Sequence, residues 1–263
     1  MQEPVIKALP AQVCYEQPLH ERIRTFLRLE FLFNQARDAL EGESAWDNRA
    51  AIERLIEILA LLGRGDLRTE VIKELERHGA MLNRLVSNPG VDEGRLIALL
   101  GEIDARIGAL HGAGSLTQPL REHEFLNTIR HRSTIPGGTC DFDLPAYHFW
   151  LNSPEARRRA DLENWLGTLE PLRRALRLIL NLIRNSAAPT GEVAGGGMFL
   201  RTLDTPGQCH LVRVMVDEGA PWYPEISGSK HRFTIRFLEH PDLNGRPAQT
   251  RDDVPFRLTC CVF

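Results

Sequence analysis

The feature that most limits what this chain can fold into is a change of hydrophobic period near residue 190. Before it, apolar residues recur every three to four positions; after it, they alternate. "PLHERIRTFLRLEFLFNQARDALE" carries Leu19, Ile23, Phe26, Leu27, Phe33, Ala36 and Leu40 at helical spacing, and "NRAAIERLIEILALL" carries Ile52, Leu55, Ile56, Leu59 and Leu62. A third stripe runs Leu67, Val71, Leu75, His78, Leu82, Leu85 and a fourth Leu96, Leu99, Leu100, Ile103, Ile107, Leu110. Each follows an aspartate, Asp66 or Asp92, suited to cap a helix. Ser115 is placed to start a further helix to about Arg132, which Pro136 and Gly137–Gly138 end. "TCDFDL" then alternates as a short strand, and helices resume at Ser153 and Thr168.

The segment "SAAPTGEVAGGG", 186–197, reads as a linker or hairpin-like boundary. Beyond it "MFLRTL", "CHLVRVMV", "HRFTIRF" and "FRLTCCVF" are candidate strands, separated by turn-rich pieces such as "DEGAPWYPEISGS". The expected class is α+β: a helical domain over 17–187, with a short β insertion near 138–151, followed by a small, mostly antiparallel β-sheet domain over 195–263. "QVCYE" near the N-terminus is available to that sheet as an edge strand.

The net charge of −3 gives no general attraction to nucleic acid or an anionic membrane, so any acidic partner must be met by local arrangement. No run approaches the eighteen or so apolar residues of a membrane span, and the N-terminus lacks a signal-peptide pattern, so the cytosol is the expected compartment. The five cysteines form no CxxC pair and read as reduced thiols. No HExxH, GxSxG, P-loop or dinucleotide fingerprint occurs, so no metal, cofactor or catalytic set is expected. Asp141, Asp143 and His148 come nearest to an acid–base constellation, but no nucleophile accompanies them.

The stretch "ISGSKHRFTIRF", 226–237, stands out. As a strand it directs His231, Phe233, Ile235 and Phe237 to one face and Lys230, Arg232, Thr234 and Arg236 to the other. Three cations on one face, with no acid between them in sequence, repel one another. Either they are a solvated edge that discourages aggregation, or they meet an extended acidic chain. Peptide and single-stranded nucleic acid both qualify. Phe233 and Phe237 face away from the cations, which leaves bases no stacking platform there.

Several segments taken together resemble the ZapD family of bacterial cell-division proteins. They are "RTFLRLEFL" (24–32), "RGDLRTEVIKELER" (64–77), "NPGVDEGRLIALL" (88–100), "IPGGTCDFDLPAYHFWL" (135–151) and "ISGSKHRFTIRF", in that order, and the likeness runs from Tyr15 to Cys261. The resemblance implies a cytoplasmic, non-enzymatic homodimer with a helical and a β domain. It implies binding to the C-terminal tail of FtsZ at the division site and cross-linking of FtsZ filaments into bundles. Carried over by position, the partner-binding residues are Lys230, Arg232, Arg236, His148, Arg121 and Arg251, while Glu124 stands where the resemblance implies another base. The alternative is a nucleic-acid-binding regulator using the same basic strand.

Overall fold

The computed structural model of the protein describes residues 11–86, 88, 90–203, 209–239 and 245–262. Two compact units divide the chain: residues 25–180, and the residues up to Arg24 together with those from Asn181 onward.

The first unit is helical. It is built from α1 (Glu21–Glu41, from Thr25), α2 (Ala45–Leu62), α3 (Leu67–Asn83), α4 (Glu93–Gly112), α5 (Gln118–Glu122), α6 (Glu124–Arg132), α7 (Pro145–Leu151), α8 (Glu155–Thr168) and most of α9 (Glu170–Arg184). Local chemistry sets several helix starts. Ser44 and Asp47 form a reciprocal capping box at α2. Asp66 accepts the Thr69 N–H at 3.2 Å and Asp92 the Arg95 N–H at 3.0 Å, satisfying donors that the first turns of α3 and α4 leave open. The helical stripes face the core: Phe26, Ile52, Leu55, Val71, Leu75, Ile103, Leu110 and Ile179 are all buried.

Two expectations in this unit are corrected. The Ser115–Arg132 helix is interrupted at His123, whose backbone is extended (ψ 109°). The His123 ring lies edge-on to Trp165 at 5.3 Å, a tertiary contact that helical periodicity does not encode. The alternation of Thr139–Leu144 does not produce a strand, so the β insertion near 138–151 is absent. The segment is a series of turns: Gly137 takes a positive φ of 72°, and the Cys140 carbonyl accepts from both Asp143 and Leu144 N–H at 3.1 Å. Pro145, preset for a first helical turn, then begins α7.

The second unit is β-rich. Its strands are β1 (Gln12–Pro18), β2 (Thr190–Ala194), β3 (Met198–Thr202), β4 (Cys209–Asp217), β5 (Trp222–Gly228), β6 (Arg232–Glu239), β7 (Ala248–Gln249) and β8 (Val254–Val262). They form two antiparallel sheets, β1-β4-β8-β2 and β3-β6-β5, with β7 pairing at the end of β6. Val212, Val214, Val216, Phe256 and Leu258 of the first sheet and Phe233, Ile235 and Phe237 of the second share one buried cluster, so the sheets pack face to face. On the opposite face of the first sheet Arg184 and Arg213 each reach Glu16 at 2.9 Å.

The N-terminal strand joins the first sheet at its edge, as "QVCYE" suggests. The 186–197 segment is more than a linker. It contains β2, which pairs with β8, and then turns through Gly195–Gly197 into the other sheet. Gly197 is required there: its φ is 72°, and a Cβ would lie 2.5 Å from the Thr250 carbonyl oxygen. β5 falls in a stretch that reads as turn-rich because of Pro221 and Pro224. A strand tolerates proline at a sheet edge, where no neighbour needs its N–H, and β5 is an edge.

Candidate functional site

β6 is the central strand of its sheet, and its alternation resolves as expected from Arg232 onward. Phe233, Ile235 and Phe237 are completely buried, whereas Arg232 and Arg236 are exposed. Lys230 and His231 depart from the expectation. They lie in the β5–β6 turn, closed by the Ser229 N–H donating to the Arg232 carbonyl at 2.8 Å, and both are exposed. His231 therefore does not share the buried face of Phe233. Burial of both phenylalanines also removes them as stacking surfaces for bases.

The neighbouring strands complete the outer face. Residues directly opposite in an antiparallel sheet project to the same side. Register thus sets Met198 of β3, Arg236 and Glu225 of β5 in one row, and Leu200, Thr234 and Ser227 in the next. Thr202 lies opposite Arg232. Glu225 forms an ion pair with Arg236, so an acid absent from the β6 sequence relieves part of the repulsion along the row. Among the described residues no acid lies within ion-pair distance of Lys230 or Arg232. Met198 and Leu200 are 49% and 55% exposed, two large apolar side chains beside the cations. Sequence reasoning missed them because "MFLRT" is apolar on both faces: Phe199 and Leu200 are adjacent, and only packing of Phe199 against Phe256 (5.3 Å between rings) decides which side is inward.

Arg251 belongs to the same unit and is exposed. It follows Thr250, whose N–H donates to the Phe237 carbonyl at 3.0 Å, so its backbone marks the end of β6 away from Lys230. The remaining two sequence-assigned residues lie in the helical unit. Arg121 is half-buried and donates to the Leu59 carbonyl near the C-terminal end of α2 at 3.3 Å, where a cation also complements the helix dipole. His148 is exposed on α7, with Nδ1 3.0 Å from Asp141, which in turn accepts from Arg49 at 3.0 Å. Glu124 opens α6 and is exposed. Asp141 and His148 are thus close, but Asp143 is directed toward Arg132 at 3.8 Å and the Cys140 thiol, so the two aspartates do not act on one point.

What this outer face offers a ligand is cations and apolar side chains set along extended strands. Among the described residues no cluster of three or more potential metal ligands occurs, and no helix is long and apolar enough to cross a membrane.

Comparison with known proteins gives a consistent result. A model of the family described as "ZapD: Cell division protein" matches residues 27–236. The chain is 46% identical over 253 residues to Cell division protein ZapD of Methylococcus capsulatus, covering 96% of this chain and 99% of that protein. It is 39% identical over 250 residues to the same-named protein of Nitrosomonas eutropha (95% and 99%), and 37% identical over 253 residues to that of Escherichia coli (96% and 100%).

Proposed function

The chain belongs to the ZapD family of cell division proteins, and on that premise we propose that it binds the C-terminal tail of FtsZ and cross-links FtsZ filaments, working in the cytoplasm at the division site without chemistry of its own. The observation that carries this reading is the outer face of β6 with its adjoining turn: Arg232 on the strand and Lys230 in the turn are exposed with no acid partner among the described residues, on the same sheet as exposed Met198 and Leu200. An FtsZ tail, by the family resemblance, carries acids next to apolar side chains. Guanidinium and ammonium groups make charge-assisted hydrogen bonds to such carboxylates. Arg251 adds an exposed cation in the same unit, while His148 and Arg121, in the helical unit, are proposed as partner-binding only on the family resemblance, and Arg121 would first have to release the Leu59 carbonyl.

One weak site per particle cannot bridge two filaments. A homodimer offers two, and a filament presents many tails, so avidity raises apparent affinity by roughly 10²–10⁴ where geometry allows both to engage. Co-sedimentation with FtsZ filaments tests the reading: the protein should pellet with full-length FtsZ and stay in solution with FtsZ lacking its tail. Equal pelleting with both removes the tail from the mechanism. Sedimentation showing only a 29.7 kDa species at micromolar concentration removes the dimer.

A further inference from the structure

The outer face of the β3-β6-β5 sheet is not uniform along its length. At the end where β7 pairs, Tyr223 and Leu238 lie opposite one another and are half-buried, and exposed Met198 lies opposite Arg236, which already holds Glu225; exposed Leu200 follows one row along, opposite Thr234. At the other end Arg232 and Lys230 have no acid partner among the described residues. The Cα positions of Arg236 and Arg232 are separated by four residues of strand, about 13 Å at 3.3 Å per residue.

We infer that this face is a two-part, polarised site: it reads an extended peptide whose apolar side chains seat on Met198 and Leu200 while its carboxylates, about two to four residues along, meet Arg232 and Lys230. Glu225 sets the boundary between the two parts by withholding Arg236 from the ligand. The inference rests on the tail-binding reading and adds to it a ligand direction and an apolar half. The charge complementarity argues for an acidic–apolar peptide as the occupant. A second copy of this face would bring its own Arg232 and Lys230 against these, and a lipid surface would not discriminate direction.

The consequences separate the residues. Loss of the apolar half should weaken binding without changing its dependence on salt, because dispersion and apolar burial are not screened. Loss of Arg232 should weaken binding and flatten that dependence. Arg236, already paired, should matter less than Arg232.

The test is fluorescence anisotropy of a labelled peptide of the FtsZ C-terminal tail, titrated with full-length protein at low and physiological salt. Met198→Thr/Leu200→Thr should bind about tenfold more weakly with an unchanged salt slope. Threonine favours strands, and both positions are exposed, so the fold should persist; a thermal melt checks it. Arg232→Gln should bind more weakly than Arg236→Gln, and with a flatter slope. If the Met198/Leu200 double variant binds like the unmodified protein, or Arg236→Gln costs as much as Arg232→Gln, the two-part site is overturned while tail binding stands. If Arg232→Gln binds in full, or the unmodified protein does not bind the peptide, the tail reading falls and this inference with it.

Discussion

Arginines that the helical unit has tied down and cations that the β unit leaves open show how structural charge differs from available charge. Several arginines of the helical unit are drawn into local or buried networks, although others, such as Arg37 and Arg177, stay exposed without an acid partner among the described residues. Arg158 is buried and donates to the Asn48 side chain, the Ser153 carbonyl and, at 2.9 Å, the Glu43 carbonyl. Arg173 and Arg174 both hold Glu170, three and four residues away, and Arg121 holds a helix-end carbonyl. Buried or ring-fenced charge of this kind is satisfied by the fold and unavailable to a partner. In the β unit Arg232, on the outer face of β6, and Lys230, in the turn before it, remain solvated and unanswered among the described residues. A high count of arginines therefore says little about binding. What matters is which of them the tertiary structure leaves unpaired.

The comparison is sharpest where one strand carries both kinds of position. Phe233→Glu places a carboxylate in the fully buried inter-sheet cluster and should cost more than about 4 kcal/mol, unfolding the β unit; loss of near-ultraviolet dichroism and of the cooperative melt would record it. In the helical unit Arg158→Ala leaves the Asn48 side chain and two carbonyls without their donor, for a loss of about 2–4 kcal/mol in denaturant unfolding. Survival of Arg158→Ala at full stability would mean its network is dispensable, and the contrast with Arg232 would disappear.

Smaller effects follow from caps and acids. Asp66→Ala should cost about 1 kcal/mol by freeing the Thr69 N–H at the start of α3. Glu170 is held at about 2, below its ordinary 4.5, by hydrogen bonds from Arg173 and, against a desolvation cost, from Arg174. Because its folded pKa is depressed, its stabilising contribution is complete above about pH 4.5 and is lost as pH falls toward 2. The Glu170→Gln protein should accordingly show a shallower fall in melting temperature across that window. The least effect on stability belongs to Arg232→Glu/Arg236→Glu, within about half a kilocalorie, since both side chains are exposed and the one pair broken is a surface pair. The same double reversal should abolish pelleting with FtsZ filaments. Unchanged pelleting would reduce the basic row to a solvated sheet face.

The amino-acid sequence by itself determined what depends on a few neighbouring residues. Helical stripes, the aspartate caps of α3 and α4, the alternation of β4, β6 and β8 and the buried side of β6 all follow from interactions spanning about ten positions or fewer. The likeness of five ordered segments to the ZapD family was legible in the same way. Tertiary structure alone decided the rest. It turned Thr139–Leu144 away from a strand, broke the helix at His123, and made strands of β2 and β5 by giving them β8 and β6 to pair with. It brought Glu225 opposite Arg236 and Met198 on the other side, residues 11 and 38 positions away, through strand register. Register is fixed by which faces bury together, a property of the whole sandwich rather than of any segment. That is why the cations were visible in the sequence, while the acid that occupies one of them and the apolar pair beside them were not.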